Sequence, residues 1–455
     1  MRSERMLDQS FSAENFRRIF DSENRRGIYL ETHFFSDVAI ITSELKRIKY
    51  EFRELKRARR SMQPIDYEAR KGELNASKEQ LSNSKEKLLS EHLERLSSVA
   101  NRGALDFTLR ETKTSSGKTA YYFEHEPISY FVSKQVQANI RKLYQVKQGN
   151  RNLIISQLEK TLGDSFPKIV IRTDIKGFYE NISQSILMNK LNTDPLLTHS
   201  SKKFIFKTLN SYRKLSGEMK GIPRGLGVSA YLAEIYINSF DEAINNHPDV
   251  LFYARYVDDI LVAFNPNPLM MAQDYFKFLQ EQAINLEMEL HAIGAGKTVV
   301  AELTTPKNVT INYLGYRLQF GNKETVVSLS SNKFDLYKLK IDKSFELYDK
   351  GKFSNEKMAR KILIKRIRFL TGNTRLLNNK RNALVGIYFS NSKANDIAIL
   401  NGLDQYLIRK VSVGYPPSVK SRITNMSFKE GFELKKYFKY SERDLKLIVA
   451  AWKNE

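Results

Sequence analysis

Apolar positions along this chain change period several times, and each change marks an element. Through SELKRIKYEFRELKRARR, Leu45, Ile48, Phe52 and Leu55 recur at helical spacing while the opposite face is densely basic. After a break at Gln63-Pro64-Ile65, Leu74, Leu81 and Leu88 repeat every seven residues with Lys and Glu between them. This pattern predicts helix over residues 36 to 100, folded as an antiparallel hairpin, with a coiled coil between chains as the alternative. From Leu105 the texture turns to strand: LDFTLRETKTSSGKTAYYF reads as a β-hairpin with Ser115-Ser116-Gly117 as its turn. ISYFVSKQVQANIRKLYQ is helical again. PKIVIRTDIKGFYENI opens with the β-branched run Ile169, Val170, Ile171 and ends in an aromatic pair. GIPRGLGVSAYLAEIYINSF reads as a glycine-bearing loop entering a helix, with Leu232, Ile235 and Tyr236 on one face and Ser229 as N-cap. YARYVDDILVAF is a hairpin, MMAQDYFKFLQEQAINLEMEL a helix and INYLGYRLQF a strand. From about residue 330 the chain is mostly helical and basic. Strands alternating with helices predict an α+β core, a sheet packed on helices.

Composition narrows the partners. The 455 residues are 41% hydrophobic and 11% aromatic, enough for two or three folded lobes with buried cores. Lys and Arg number 74 against 51 acids, a net charge of +23, which favours a polyanionic partner whose counterions are released on binding. No uninterrupted apolar stretch is long enough to span a bilayer and no lipidation motif stands at either end, so a membrane is not expected. MRSERMLDQSFSAENFRRIF lacks the apolar core of a signal peptide. The absence of cysteine excludes disulfides and thiolate metal sites and fits a cytoplasmic address.

The candidate chemistry begins with Asp258 and Asp259, adjacent acids inside an apolar run. An unpaired buried carboxylate is costly. Either the pair caps a tight turn and faces water, or a divalent cation compensates it. Asp174, 84 residues before Asp258, ends its own β-branched run and is followed by Phe178 and Tyr179. Two aspartate-bearing strands flanking a loop and helix favour the metal reading. GAGKT at 294–298 is a decoy, because a phosphate-binding loop of that kind needs glycine at 291, where histidine stands.

Taken in order, DIKGFYENI from Asp174, IPRGLGVS at 222–229, YVDD at 256–259, Lys297 and YLGY at 313–316 resemble the palm domain of a reverse transcriptase. The likeness covers roughly residues 105 to 330. It implies a right-hand polymerase: a helical extension over 1–104, fingers and palm over 105–330, and a helical basic thumb over 331–455. It implies two Mg²⁺ ions, with Mn²⁺ as a substitute, bridged by Asp174 and Asp258, with Asp259 a weaker ligand. Tyr179 matches an aromatic gate against the ribose 2′ hydroxyl, so dNTPs would be the substrates and DNA the product. Pro223-Arg224-Gly225 departs from the Pro-Gln-Gly common in the family, and Arg224 would contact phosphate instead. Gly225 and Gly227 would let backbone approach nucleotide and template. Lys297 would lie near the pyrophosphate leaving group. Arg110, Lys113 and Lys118 in the fingers hairpin would grip triphosphate or template, and Arg151 and Arg172 have similar standing. Lys361, Lys365, Arg366 and Arg368 would track the template–primer backbone, with Ile362, Phe369 and Leu370 as the apolar side.

RIRFLTGNTRLLNNKRNALVGIYFSN and LNGLDQYL resemble bacterial reverse transcriptases of the abortive-infection and defence-associated groups. That resemblance implies antiphage defence in a bacterial cytoplasm, a noncoding RNA as template, and a homo-oligomer or companion defence protein. The alternatives are untemplated or protein-primed DNA synthesis by the same acids, a viral-type RNA polymerase, and a non-catalytic RNA-binding scaffold.

Overall fold

A computed structural model describes residues 7–102, 107–114, 117–124, 126–146, 149–164, 166–294, 296–303, 309–320, 325–376 and 383–452. The chain opens with α1 (Ala13–Arg25), α2 (Leu30–Phe34), α3 (Ser36–Ala58) and α4 (Pro64–Asn101). Ser12 caps α1 by accepting the Asn15 N–H, and Pro64 stands in the first turn of α4, where no N–H is required. The predicted helical hairpin is α3 on α4. Its outer half is filled from within the chain by Ile48, Leu55 and Leu74, with Phe52, Tyr67 and Leu81 packed on them. At its root, Leu89 and Leu93 join the main core together with Phe16, Phe20 and Phe35.

Next come β1 (Leu109–Lys113) and β2 (Thr119–Phe123), paired antiparallel as the sequence predicts. Leu105, Ser115 and Ser116 lie outside the described residues. Helices α5 (Pro127–Leu143) and α6 (Arg151–Leu162) lead to β3 (Lys168–Asp174), α7 (Phe178–Asn181), α8 (Gln184–Thr193), α9 (His199–Ser216) and α10 (Gly227–Asn245). The chain continues through β4 (Val250–Tyr256), β5 (Asp259–Phe264), α11 (Ala272–Ile284) and β6 (Val299–Leu303). Four of these strands form one antiparallel sheet in the order β4-β5-β3-β6. Side chains alternate across it with period two. Ile169, Ile171, Ile260 and Val262 face the main core with α10, while Val170, Leu261 and Ala263 face a second core shared with α6. Covered on both sides, β3 and β5 had to be nearly continuous apolar runs. Ser229 is not the N-cap of α10: the helix starts at Gly227, and the buried Ser229 hydroxyl donates to the Pro223 carbonyl at 2.7 Å.

INYLGYRLQF is a hairpin rather than one strand. β7 (Val309–Tyr313) and β8 (Tyr316–Phe320) join through Leu314 and Gly315, both at positive φ (49° and 76°), the pattern of a type I′ turn. With β9 (Thr325–Leu329) they make a three-stranded sheet. The long α12 (Ser331–Thr371) breaks at Asn355, whose side-chain oxygen accepts the Met358 N–H at 2.9 Å and so starts the second half. Short β10 (Asn373–Arg375) and β11 (Leu384–Gly386) precede α13 (Ala398–Ser412), α14 (Pro417–Ile423), α15 (Phe428–Glu433) and α16 (Glu442–Val449). These helices close a core of their own around Leu363, Ile367, Leu403 and Leu407. The architecture is the α+β mixture of helices and antiparallel sheet that the sequence predicts.

Candidate active site

The fold brings the three aspartates to one end of the central sheet. Asp174 ends β3 directly opposite Asp259, the first residue of β5. Asp258 sits in the two-residue turn between β4 and β5, and its carbonyl accepts the Ile175 N–H at 3.1 Å, which pins the turn to the end of β3. Burial pushes the Asp258 carboxyl above its ordinary pKa, and the charge of Asp174 adds to the shift. Lys297 reaches Asp174 at 2.7 Å, and Asp174 in turn holds the ammonium above its usual range. Asp259 is held differently, by the Arg172 guanidinium at 2.8 Å. Among the described residues, no three metal-ligating side chains converge. Two hard carboxylates that repel each other nonetheless suit a small divalent cation, so Asp174 and Asp258 fit as its ligands. One oxygen of Asp259, Oδ1, is engaged by Arg172.

The turn itself is strained. Val257 takes φ 61° whereas Asp258 does not have positive φ, the pattern of a type II′ turn, in which glycine is the usual first central residue. A β-branched residue there is a genuine outlier, and such strain persists only where the surroundings enforce it. Arg255 does the enforcing. Its side chain is only 6% exposed, is gripped by Glu234 (2.6 Å) and Asp241 (2.7 Å) of α10, and donates to the Val257 carbonyl at 2.9 Å. From beneath, the Tyr313 hydroxyl lies 3.2 Å from the Asp259 carbonyl, so the YLGY segment supports the hairpin. Replacing Val257 by glycine releases this strain but adds the entropy of glycine and loses the side chain's packing on the main core. Stability should therefore stay within about 1 kcal/mol of wild type. Urea unfolding at an unchanged m-value checks it. Sequence reasoning missed this clamp. Its signal was an arginine in the apolar strand YARYV, with acids at 234 and 241 repeating on one helical face.

In α7, Phe178 is buried in the core while Tyr179 packs at its edge. Burial and the Glu234 charge push the Tyr179 phenol above its ordinary pKa, and Asp258 contributes, which puts this ring within electrostatic reach of the acids. The Tyr179 carbonyl accepts the Ile222 N–H at 2.9 Å, tying the loop before α10 to it. Arg224 is not poised for phosphate in this structure. Its guanidinium lies over the Tyr179 ring at 5.2 Å and pairs with Glu180 at 2.7 Å. Gly225, at φ 100°, allows a close approach to protein rather than nucleotide: a Cβ there would lie 2.8 Å from the Tyr121 carbonyl oxygen of β2. At Gly227 the near neighbour is the Gln137 side chain.

The remaining cations divide. Arg110 pairs with Glu124, Lys113 donates to the Thr119 hydroxyl at 2.9 Å, and Lys118 is exposed on the same hairpin. Arg151 donates to the Leu314 and Ser390 carbonyls and covers the Tyr316 ring, an anchor for the β7–β8 turn. On α12, Lys361 and Arg368 are exposed and Lys365 pairs with Asp444. Arg366 is a correction. It is buried and donates to the Leu447 carbonyl, because position 366 lies about 100° or more around the helix from 361, 365 and 368. The apolar side is likewise Leu363, Ile364, Ile367 and Leu370, with Ile362 and Phe369 only partly buried.

Residues 126–318 match the family described as reverse transcriptase (RNA-dependent DNA polymerase), whose domains generally use divalent metal ions. No curated protein matches the chain. Among solved structures, the chain is similar to telomerase from Candida albicans in complex with a fragment of telomeric RNA, at 12% identity and TM-score 0.35, covering 72% of this chain and 68% of that one. It is similar to apo telomerase from Candida tropicalis at 11% identity and TM-score 0.35, covering 76% and 64%. A truncated form of the latter gives 12% and 0.30 over 44% and 45%. The chain carries a reverse transcriptase domain, and that domain indicates an RNA-directed DNA polymerase, a nucleotidyltransferase.

Proposed function

We propose that this chain copies an RNA template into DNA by adding dNTPs to a primer end, with Asp174 and Asp258 holding two Mg²⁺ ions. The observation that carries this reading is the mutual placement of those two carboxylates at the end of β3 and in the β4–β5 turn. When bound, the metal ions would activate the primer hydroxyl and stabilise charge on the triphosphate. The chain's own part is positional. The Arg255 clamp and Tyr313 hold Asp258 still, and Lys297 supplies a cation beside Asp174 for developing phosphate charge. Tyr179 would exclude the ribose 2′ hydroxyl, with Arg224 and Glu180 bracing its ring.

Primer extension on RNA with dNTPs and NTPs in parallel tests this. Deoxynucleotide addition that follows the template is expected; addition indifferent to template sequence would point to untemplated synthesis. In Tyr179→Ala, ribonucleotide use should rise roughly 10- to 100-fold relative to dNTP use, the scale on which a pocket admits or refuses one small group. An unchanged ratio removes the gate.

The sequence resemblance to bacterial defence-associated enzymes supports a finer reading: an antiphage role in the bacterial cytoplasm, with a noncoding RNA as template and a homo-oligomer or companion protein as partner. The net charge of +23 fits an RNA-bound state. Sequencing the RNA and DNA that copurify with the protein tests it. One structured RNA with complementary DNA is expected, and a random transcript population would overturn it.

A further inference from the structure

Lys297 is brought to Asp174 by the backbone and not only by the reach of a long side chain. β6 runs antiparallel to β3, with Arg172 opposite Val299. The same register persists beyond these paired residues. The Thr173 and Thr298 hydroxyls are hydrogen-bonded at 2.8 Å, and one position further on Lys297 stands opposite Asp174. Asp174 is therefore flanked by Asp259 on β5 and by Lys297 on the side of β6. The segment before Lys297 closes on the same residue. The His291 N–H donates to the Asp174 carbonyl at 3.1 Å, and the Thr298 hydroxyl donates to the His291 carbonyl.

The two partners differ in freedom. The Asp174 side chain is 10% exposed and has little water to compensate its charge, whereas the Lys297 side chain is 52% exposed and can swing outward. The ammonium binds one carboxylate oxygen, Oδ2, at 2.7 Å. If Asp174 bridges two metal ions it needs both oxygens, so the ammonium and an ion at Oδ2 exclude each other. A compact ammonium on a flexible stem suits such an exchange. The Arg172 guanidinium on Asp259 does not, since its side chain is only 16% exposed. Three carboxylates against these two cations leave one negative charge, and withdrawing Lys297 leaves two, which strengthens the attraction for a divalent ion. We propose that Lys297 acts through Asp174 as a counter-ion that competes with metal: it holds the carboxylate until an ion displaces it, and the displaced ammonium then serves the triphosphate. By linkage, a triphosphate that draws Lys297 away tightens metal binding by the same factor. This rests on the polymerase reading above.

Mn²⁺ binding to the full chain, followed by the paramagnetic resonance of the unbound ion, tests the proposal without any turnover. In the absence of nucleotide, Lys297→Gln should bind Mn²⁺ about tenfold more tightly than wild type, the scale of one charge removed at close range near a surface. Lys297→Arg keeps the charge and should bind no more tightly than wild type. A residue that merely shaped its loop would, on either replacement, leave the affinity unchanged or lower it. Mn²⁺ should also raise the melting temperature of Lys297→Gln more than that of wild type. Equilibrium dialysis of dTTP reads the exchange itself. Saturating Mn²⁺ should tighten dTTP binding about tenfold more in wild type than in Lys297→Gln, the ion chelated by dTTP being common to both. An equal gain in the two proteins overturns the exchange. Adding Asp258→Ala to Lys297→Gln separates this proposal from the one it rests on. Mn²⁺ binding that ignores Asp258 would refute the metal site. Binding that depends on Asp258 but is no tighter in Lys297→Gln than in wild type would refute the counter-ion alone.

Discussion

Asp258→Ala will reduce nucleotide incorporation about a thousandfold or more while leaving RNA binding intact. The size follows from removing a proposed metal ligand whose ion would supply several kcal/mol of transition-state stabilisation, each 1.36 kcal/mol being tenfold in rate. Binding should survive because the cations proposed to contact RNA lie elsewhere. Single-turnover extension and equilibrium RNA binding on the same preparation check both halves, and undiminished incorporation would refute the site. The same residue has a signature in the metal-free protein. Its pKa is raised above the unfolded value, so its ionisation in the folded state costs stability. That cost is absent below the unfolded pKa and appears as pH rises through the folded one. Asp258→Asn should therefore melt higher than wild type at neutral pH, and this advantage should vanish on acidification.

Arg255→Met carries the largest expected cost in stability. The guanidinium is buried against Glu234 and Asp241, and removing it strands two carboxylates, a loss on the order of 3–5 kcal/mol. Urea unfolding measures it. A second variant separates charge balance from turn positioning: Arg255→Met combined with Glu234→Gln and Asp241→Asn. It should recover most of the stability, since no unpaired charge remains. It should still extend primers slowly, because nothing then donates to the Val257 carbonyl and the strained turn is free to relax. Full recovery of both properties would mean that the hydrogen bond to Val257 does not position Asp258.

The elements were largely legible because each has a local cause. The α3–α4 hairpin follows from its apolar repeats and Pro64, and β3 and β5 from β-branched runs that only a sheet covered on both faces can bury. Failures arose where one local pattern serves two structures. INYLGYRLQF alternates like a single strand, and only positive φ at Leu314 and Gly315 folds it back on itself. Arg366 was grouped with its neighbours by sequence proximity, though helical geometry sends it inward against α16.

By itself, then, the order of residues determined which segments become helix or strand, that the chain is basic, and which acids are candidates for chemistry. These depend on neighbours a few positions apart, whose spacing sets what each face can bury. Tertiary structure alone decided how the acids are partnered: Asp174 with Lys297, Asp259 with Arg172, Asp258 in a turn clamped by Arg255. It also decided that Arg224 lies over the Tyr179 ring and pairs with Glu180. Such contacts join residues tens to hundreds of positions apart, and their energies depend on distance and burial that no local pattern encodes.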